Sequence, residues 1–137
     1  MKLVYVAHPY GGSPENAEAV KQIIEALAEG GNHPLLANPT APMTPTVPAV
    51  HARISITTTD LMQAVYVSPI HQQGFMYAGT PYLAGLQKCL ELLRRCDILL
   101  LCGDWQNSKG CLAEFGFAMA RKMPIVFENS NDYYDLI

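Results

Sequence analysis

A glutamate stands about one turn inside a predicted helix that follows a loop containing serine and glycine. The loop runs from Gly103 to Gly110, and Ser108 has a side chain suited to cap a helix that begins near Gly110. Free N–H groups at the start of such a helix suit a phosphate or a carboxylate. Glu114 follows, and a carboxylate at a cleft mouth is usable as a nucleophile on an anomeric carbon. A glutamate that only interacts with the helix dipole has the same spacing, so both roles stay open.

A second loop that could bind an anion follows the first predicted strand. It contains His8, Tyr10 and the adjacent glycines Gly11 and Gly12, and it leads into a helix. Adjacent glycines let backbone N–H groups approach an anion, although a plain tight turn uses the same residues. The loop matches neither the G-x-G-x-x-G dinucleotide fingerprint nor the P-loop pattern, so the sequence excludes both of these sites.

The elements that must position these loops alternate between strand and helix. Residues 2–7, 64–71, 97–102 and 124–127 have the apolar and β-branched content of strands, the second of them ending in a loop. Residues 14–29, 81–95 and 111–122 have apolar residues at helical spacing. This alternation predicts an α/β fold: a Rossmann-like open parallel sheet of four to five strands with helices on both faces. Ligands of such sheets bind at the carboxyl ends of the strands, where these loops meet.

The last predicted helix fixes where Glu114 points. Its apolar residues Leu112, Phe115, Ala118 and Met119 form the predicted inner stripe. If this stripe faces the sheet, Glu114 lies toward the loop edge, near the mouth of the cleft.

The chain is predicted to be one domain over residues 1–137, with a proline-rich insertion at about 32–63. Repeated prolines exclude a helix or a central strand from the first half of this insertion. Arg53 and Asp60 are its only charged residues. An uncharged segment of this length seldom stays exposed on a lone monomer. We therefore expect it to pack against another subunit of a homodimer or higher homo-oligomer, or to cover the cleft; a disordered bulge is the alternative.

Composition excludes several classes of protein. The chain is 50% hydrophobic and 15% charged, with a net charge of −3, and it has no cluster of basic residues for nucleic acid. No apolar run approaches the roughly 20 residues that span a bilayer, and none suits a signal peptide. The four cysteines are irregularly spaced, which argues against a zinc site and for reduced thiols in a cytoplasmic protein. We expect no metal and no cofactor.

Two stretches together resemble a known family. The first is Val4–Gly12, with the sequence VYVAHPYGG, and the second is the Ser-x-Gly-x-x-x-Glu motif that ends at Glu114. Both resemble the nucleoside 2-deoxyribosyltransferase superfamily, which includes the 2′-deoxynucleoside 5′-phosphate N-hydrolases and many small uncharacterised phage and bacterial proteins. The resemblance covers residues 1–30 and about 64–128.

The resemblance implies a cleft for a small-molecule nucleoside or nucleotide. It makes Glu114 the nucleophile that attacks C1′ of a deoxyribose and displaces the base, after which water or a second base accepts the sugar. It also implies that Ser108 and Gly110 hold the 5′ end or its phosphate. The residues that it places around the sugar and the base are Tyr5, His8, Tyr10, Gly11 and Gly12.

One departure from the family pattern concerns the acid that assists the leaving base. The family has an aspartate in the helix before the third strand, and here that place falls near Lys88-Cys89. We expect Asp104 or His71 to replace it as the acid, since a base is a poor leaving group without a proton donor. Trp105 is expected either to stack on a base or to pack its loop onto a partner subunit.

Three functions remain open at this point. The first is an enzyme that cleaves an N-glycosidic bond or transfers deoxyribose on a nucleoside or its 5′-monophosphate. The second is a non-catalytic module of the same fold that binds or senses a nucleotide. The third is a structural protein that keeps only the fold.

Overall fold

The computed structural model describes residues 1–36 and 46–137, and within these ranges five strands form one sheet. The strands are β1 (Leu3–Ala7), β2 (Ala49–Val50), β3 (Val65–Val67), β4 (Ile98–Leu101) and β5 (Ile125–Phe127). Their order across the sheet is β2-β5-β4-β1-β3. The strands β3, β1, β4 and β5 are parallel neighbours, which confirms the predicted open α/β sheet.

The edge strand β2 differs from the prediction of an all-parallel sheet. It runs antiparallel to β5, with Ala49 opposite Val126 and Val50 opposite Ile125. A strand of two residues is too short to show the alternation of apolar and polar positions that identifies strands in a sequence. The strand β2 also lies within the proline-rich segment, which made it harder still to predict.

Helices surround the sheet. They are α1 (Pro14–Ala28), α2 (Thr58–Met62), α3 (Pro69–Gln73), α4 (Tyr82–Arg94), α5 (Lys109–Ala120) and α6 (Ser130–Leu136). Short 3₁₀ turns occupy Pro34–Leu36, Gly74–Gly79 and Trp105–Asn107. Not one of these helices is both long and apolar enough to cross a membrane.

Three helices lie where none was predicted. One is α2, within the predicted insertion, and the other two are α3 and α6. The predicted strand over 64–71 stops at Val67, because the Ser68 side chain caps α3 by accepting the N–H of His71 and Pro69 suits the first helical position. The C-terminal α6 begins in the same way, after the Asn129 side chain accepts the N–H of Asn131. Both are local capping events that a search for apolar periodicity does not detect.

The strand β1 divides its side chains between the two faces of the sheet. Val4 and Val6 belong to a core that packs against α1 and α2, whereas Tyr5 and Ala7 belong to the opposite core with residues of α4 and α5. This alternation follows from the period of two in a strand. It places the Tyr5 side chain beneath α5, next to Glu114.

The described part of the predicted insertion packs on the chain's own core. His33, Leu35, Val47, Ile56 and Leu61 are all buried, and the four apolar ones belong to the core beside α1. None of the described residues of this segment lines the cavity reported below, so this part does not cover the cleft. The prolines at 39, 42 and 45 lie outside the described residues.

Candidate active site

A cavity of about 540 Å³ opens beside the carboxyl end of β1. Its wall comes from the loop after β1, from the segment between β3 and the middle of α4, and from the start of α5. A volume of this size falls in the range of small-molecule sites. The location agrees with the expectation that loops following parallel strands converge at one edge of the sheet.

Glu114 lies at the floor of this cavity. Its side chain is only 7% exposed, because α5 buries Cys111, Glu114 and Ala118 on one face. The hydroxyl of Tyr5, which is fully buried on β1, donates a hydrogen bond to Oε2 of Glu114. The arrangement fixes one carboxylate oxygen and leaves Oε1 for a ligand.

The predicted inner stripe of α5 is therefore partly wrong. Leu112 and Met119 are 45% and 38% exposed, while Glu114, which was expected nearer the loop edge, points inward. Apolar residues occupy every side of this helix, so their spacing cannot identify the buried face.

Burial controls the charge of Glu114. Removal from water raises the pKa of this carboxyl to about 7, and the hydrogen bond from Tyr5 opposes that rise. Burial, together with the charge of Glu114, raises the pKa of Tyr5 well above its usual value, so the phenol keeps its proton and remains a donor. At neutral pH both the protonated and the ionised form of Glu114 are therefore populated.

Two thiols flank Glu114 without adding charge. Cys89 on α4 and Cys111 on α5 both line the cavity. Burial is the main cause that raises the pKa of Cys89, and it raises the pKa of Cys111 to about 12. Both side chains are therefore neutral near pH 7, and neither adds a negative charge beside the carboxylate of Glu114.

The start of α5 presents donors to the cavity. The Ser108 side chain caps the helix by accepting the N–H of Cys111 at 3.2 Å, and Ser108, Lys109 and Gly110 all line the cavity. The first N–H groups of a helix have no acceptor within it and favour an anion. The Lys109 ammonium adds a positive charge at the same place.

The loop after β1 and the 3₁₀ turn at 74–79 meet through two tyrosines. The rings of Tyr10 and Tyr77 pack edge to face with their centroids 5.1 Å apart, and both rings line the cavity. His8 and Gly11 line it as well. Gly12 does not, but a Cβ at this position would lie 3.4 Å from the Tyr77 ring. The loop residues selected from the sequence are thus brought to one wall.

Five residues selected from the sequence do not line the cavity. Tyr5, which was expected to line the sugar and base site, is fully buried and contacts Glu114 instead, and Gly12 lies against Tyr77. The other three are Asp104, His71 and Trp105.

Asp104 accepts hydrogen bonds from the Asn107 side chain at 2.8 and 2.9 Å, and His71 is an exposed residue of α3 whose Nδ1 lies 2.8 Å from Ser68 Oγ. Because the helix α3 replaces the expected loop, His71 turns with it. Neither side chain is placed to protonate a base.

Trp105 is the third of these residues. It is 4% exposed, packs against Phe115 and Phe127, and donates from Nε1 to Asp132 at 3.1 Å. It holds α6 against the sheet within the chain itself. This packing corrects the expectation that Trp105 stacks on a base or reaches a partner subunit.

The sequence interpretation missed the wall between β3 and α4. One face of α4 contributes Tyr82, Gly85, Leu86 and Cys89 to the cavity, and Lys88 lies beside them. The spacing of three and four residues in this set was visible in the sequence, but it is also the spacing of an ordinary core stripe. Within the ranges 1–36 and 46–137, no cluster of three or more His, Cys, Asp or Glu is arranged to hold a metal ion.

Comparison with known proteins agrees with this fold. The chain belongs to the DUF4406 family, a domain of unknown function, whose model matches residues 42–127. That match includes the second part of the segment that the sequence interpretation treated as an insertion. No curated protein has a matching sequence.

A solved structure identifies the fold more closely. The structure of a 2-desoxiribosyltransferase from Leishmania mexicana superposes with a TM-score of 0.51 at 19% sequence identity, over 93% of this chain. The alignment covers 63% of that protein, so this chain spans less than two thirds of its length. The protein therefore has the nucleoside deoxyribosyltransferase-like fold, a mixed α/β sheet surrounded by helices.

Proposed function

We propose that the protein cleaves the N-glycosidic bond of a 2′-deoxynucleoside or its 5′-monophosphate, or transfers the deoxyribosyl group, with Glu114 as the nucleophile. The observation that carries this proposal is the buried carboxylate of Glu114 at the floor of a cavity, held at one oxygen by Tyr5. The likeness of the fold to a 2-desoxiribosyltransferase supports the same reaction class.

The chemistry follows from the state of the carboxylate. With a pKa of about 7, a large share of Glu114 is ionised at neutral pH and is poorly solvated, which favours nucleophilic attack. Oε1 forms a bond to C1′ as the bond from C1′ to the base nitrogen breaks. Tyr5 stabilises the carboxylate before attack and the glycosyl ester afterwards. Water or a second base then takes the sugar from Glu114, which regenerates the carboxylate.

The charges around the cavity favour a substrate with a phosphate. Lys88, Lys109 and the start of α5 are positive groups at the cavity wall of a chain whose net charge is −3. A 5′-phosphate bound by Ser108, Lys109 and the first amides of α5 would leave the sugar directed toward Glu114. We therefore expect monophosphates to be better substrates than the corresponding nucleosides.

The experiment is a survey of the four common 2′-deoxynucleosides and their 5′-monophosphates with chromatographic detection of free base. The wild-type protein should release base, Glu114→Gln should not, and Glu18→Gln, which alters an exposed carboxylate on α1, should behave as wild type. Mass spectrometry of acid-quenched samples should show a deoxyribosyl adduct at Glu114. Absence of free base with every substrate, both alone and with a second free base added as acceptor, would contradict the proposal.

One observation favours a second function, a module that binds a nucleotide without turnover. The cavity face of α4 holds Lys88 and Cys89 and no carboxylic acid. A cavity without a proton donor for the base would bind the ligand and leave it intact. In that case nucleotides should raise the melting temperature while no base appears.

A further inference from the structure

A histidine at the end of β1 packs its ring against the glycine that follows β4, and the backbone of that glycine bonds a carboxylate at the end of β5. β4 lies between these two strands in the sheet, and Gly103 follows it. A Cβ built on Gly103 would lie 2.6 Å from Nε2 of His8, so a side chain there would displace the imidazole from this position. Gly103 also has φ +59°, a conformation that glycine adopts without strain.

The carboxylate at the end of β5 is Glu128, and two donors hold it. The backbone N–H of Gly103 donates to Oε1 at 3.0 Å, and Nε2 of the buried His33 lies 3.4 Å from Oε2. Nδ1 of His33 accepts the N–H of Leu35 at 3.0 Å, which leaves the proton of the neutral ring on Nε2, facing Glu128.

Glu128 is ionised and lies within electrostatic reach of His8. The hydrogen bond from His33 is the main cause that lowers the pKa of Glu128, and the N–H of Gly103 and the charge of His8 lower it further. Gly103 thus contacts both the His8 ring and the Glu128 carboxylate, and His33 contacts the second oxygen of that carboxylate.

The hydrogen bonding of His8 determines which of its nitrogens exchanges a proton. Nδ1 lies 2.7 Å from the carbonyl oxygen of Pro9, which can only accept, so Nδ1 carries a hydrogen. Nε2 is therefore the atom that gains and loses a proton. Histidine is the side chain suited to this exchange near neutral pH, and His8 lines the cavity.

Other candidates for a proton donor are weaker on geometric grounds. Asp104 and His71 do not line the cavity, and Glu114 must be ionised to attack. Burial raises the pKa of both the Cys89 and the Cys111 thiol, so these groups hold their protons more tightly than an ordinary thiol does. His8 alone among these groups has both a place in the cavity wall and a carboxylate behind it.

We propose that His8 is the acid–base residue of the reaction and that Glu128 positions it through Gly103, whose N–H donates to Glu128 and whose backbone packs against the His8 ring. This inference rests on the proposed glycosidic cleavage. As Glu114 Oε1 bonds to C1′, the electron pair of the breaking C1′–N bond passes to the base, and the proton on His8 Nε2 goes to a ring nitrogen of that base. Neutral His8 then takes a proton from the water that attacks C1′, which restores the imidazolium and releases Glu114 as a carboxylate.

The test compares two leaving groups. 2′-Deoxyguanosine or 2′-deoxyadenosine 5′-monophosphate needs a proton for its base to depart, whereas the N7-methylated counterpart already carries a positive charge and leaves without one. In the variant His8→Asn, the amide can still donate to the Pro9 carbonyl, but the group that replaces Nε2 is lost. We expect a fall of about 100-fold or more in kcat for the unmethylated substrates, the usual contribution of general acid catalysis, and a fall of less than about threefold for the methylated ones.

Two further variants separate the roles. Glu128→Gln should slow the unmethylated substrates by about tenfold and leave the methylated ones nearly unchanged, a dependence on leaving group that a purely structural role would not produce. His51→Asn is the matched control, because His51 is exposed, lies outside the cavity wall and has φ +58°, which asparagine tolerates. It should leave both rates at the wild-type level.

The outcomes distinguish this inference from the function on which it rests. If wild type cleaves both kinds of substrate and His8→Asn slows both equally, His8 is not the proton donor, while the role of Glu114 stands. If wild type cleaves neither kind, the proposed glycosidic cleavage is wrong and the role of His8 falls with it. Equal melting temperatures of wild type and His8→Asn would show that a lost rate is not a lost fold.

Discussion

Tyr5 donates a hydrogen bond to Glu114 across a separation of 109 residues, and this contact joins the first strand to the last long helix at the cavity floor. Both groups are buried, so the energy of the pair depends strongly on protonation. Burial raises the pKa of Glu114, and the Tyr5 hydroxyl counteracts part of that rise. Stability and chemistry are therefore coupled at one carboxylate.

Replacing Glu114 by glutamine should stabilise the fold at pH 8 and leave its stability nearly unchanged at pH 4. The folded protein keeps the proton up to about pH 7, whereas the unfolded chain loses it near 4.5, so the stability of the wild type falls as the pH rises through this window. A pKa difference of this size corresponds to about 3 kcal/mol. Urea unfolding of wild type and Glu114→Gln at pH 4 and at pH 8 measures this difference in stability. A gain in stability that is the same at both pH values would contradict the prediction.

Removing the hydroxyl of Tyr5 should shift the pH dependence of activity. Since the bond from Tyr5 lowers the pKa of Glu114, Tyr5→Phe should raise it above about 7. A plot of kcat/KM against pH should rise with a midpoint near 7 in wild type and at higher pH in the variant. Tyr66→Phe removes a hydroxyl bonded to the Leu61 carbonyl, away from the cavity wall, and should leave the midpoint in place.

Loss of the Lys109 charge should affect phosphorylated substrates selectively. Lys109→Gln removes a cation at the start of α5, and we expect KM for a 5′-monophosphate to rise about tenfold while KM for the nucleoside stays the same. Lys21→Gln, on the exposed surface of α1, is the charge-matched control. An equal change for both substrates would place the phosphate elsewhere.

A methyl group on Gly103 should cost more stability than the same group on another glycine of like conformation. Gly103→Ala combines a positive φ with a Cβ only 2.6 Å from His8 Nε2. Gly11→Ala has nearly the same φ, +58°, but open space around its Cβ, so it measures the backbone strain alone, about 1 kcal/mol. The extra loss in Gly103→Ala, measured by urea unfolding, reports the steric contact. Equal losses would show that His8 moves away freely.

Most of the parallel sheet could be predicted, because its strands carry strong local signals. The apolar run of β4 and the capped start of α1 lie within two residues of their predicted bounds. Parallel strands share one carboxyl edge, so the sequence could also bring His8, Ser108 and Glu114 to one place. The roles of these residues and a homo-oligomeric state remain predictions.

The remaining errors share a physical cause. Where the side chains of Trp105, Asp104 and His71 point depends on contacts with distant residues and on short capping motifs. Neither of these produces a periodic pattern of apolar residues in the sequence. Trp105 is buried only because Phe115, Phe127 and Asp132 surround it. The buried face of α5 could not be predicted either, since apolar residues occur on every side of this helix.

The position of Glu114 on α5 fixes the distance between its carboxylate and the first amides of the same helix. Gly110, near the start of α5, and Glu114 are four residues apart in the sequence. Because an α-helix rises 1.5 Å per residue, they are about 6 Å apart along the helix axis. An added residue between them would turn Glu114 by about 100° away from the cavity. For the function proposed above, the pitch of α5 would therefore set the distance between the anionic group of the substrate and the carbon that Glu114 attacks.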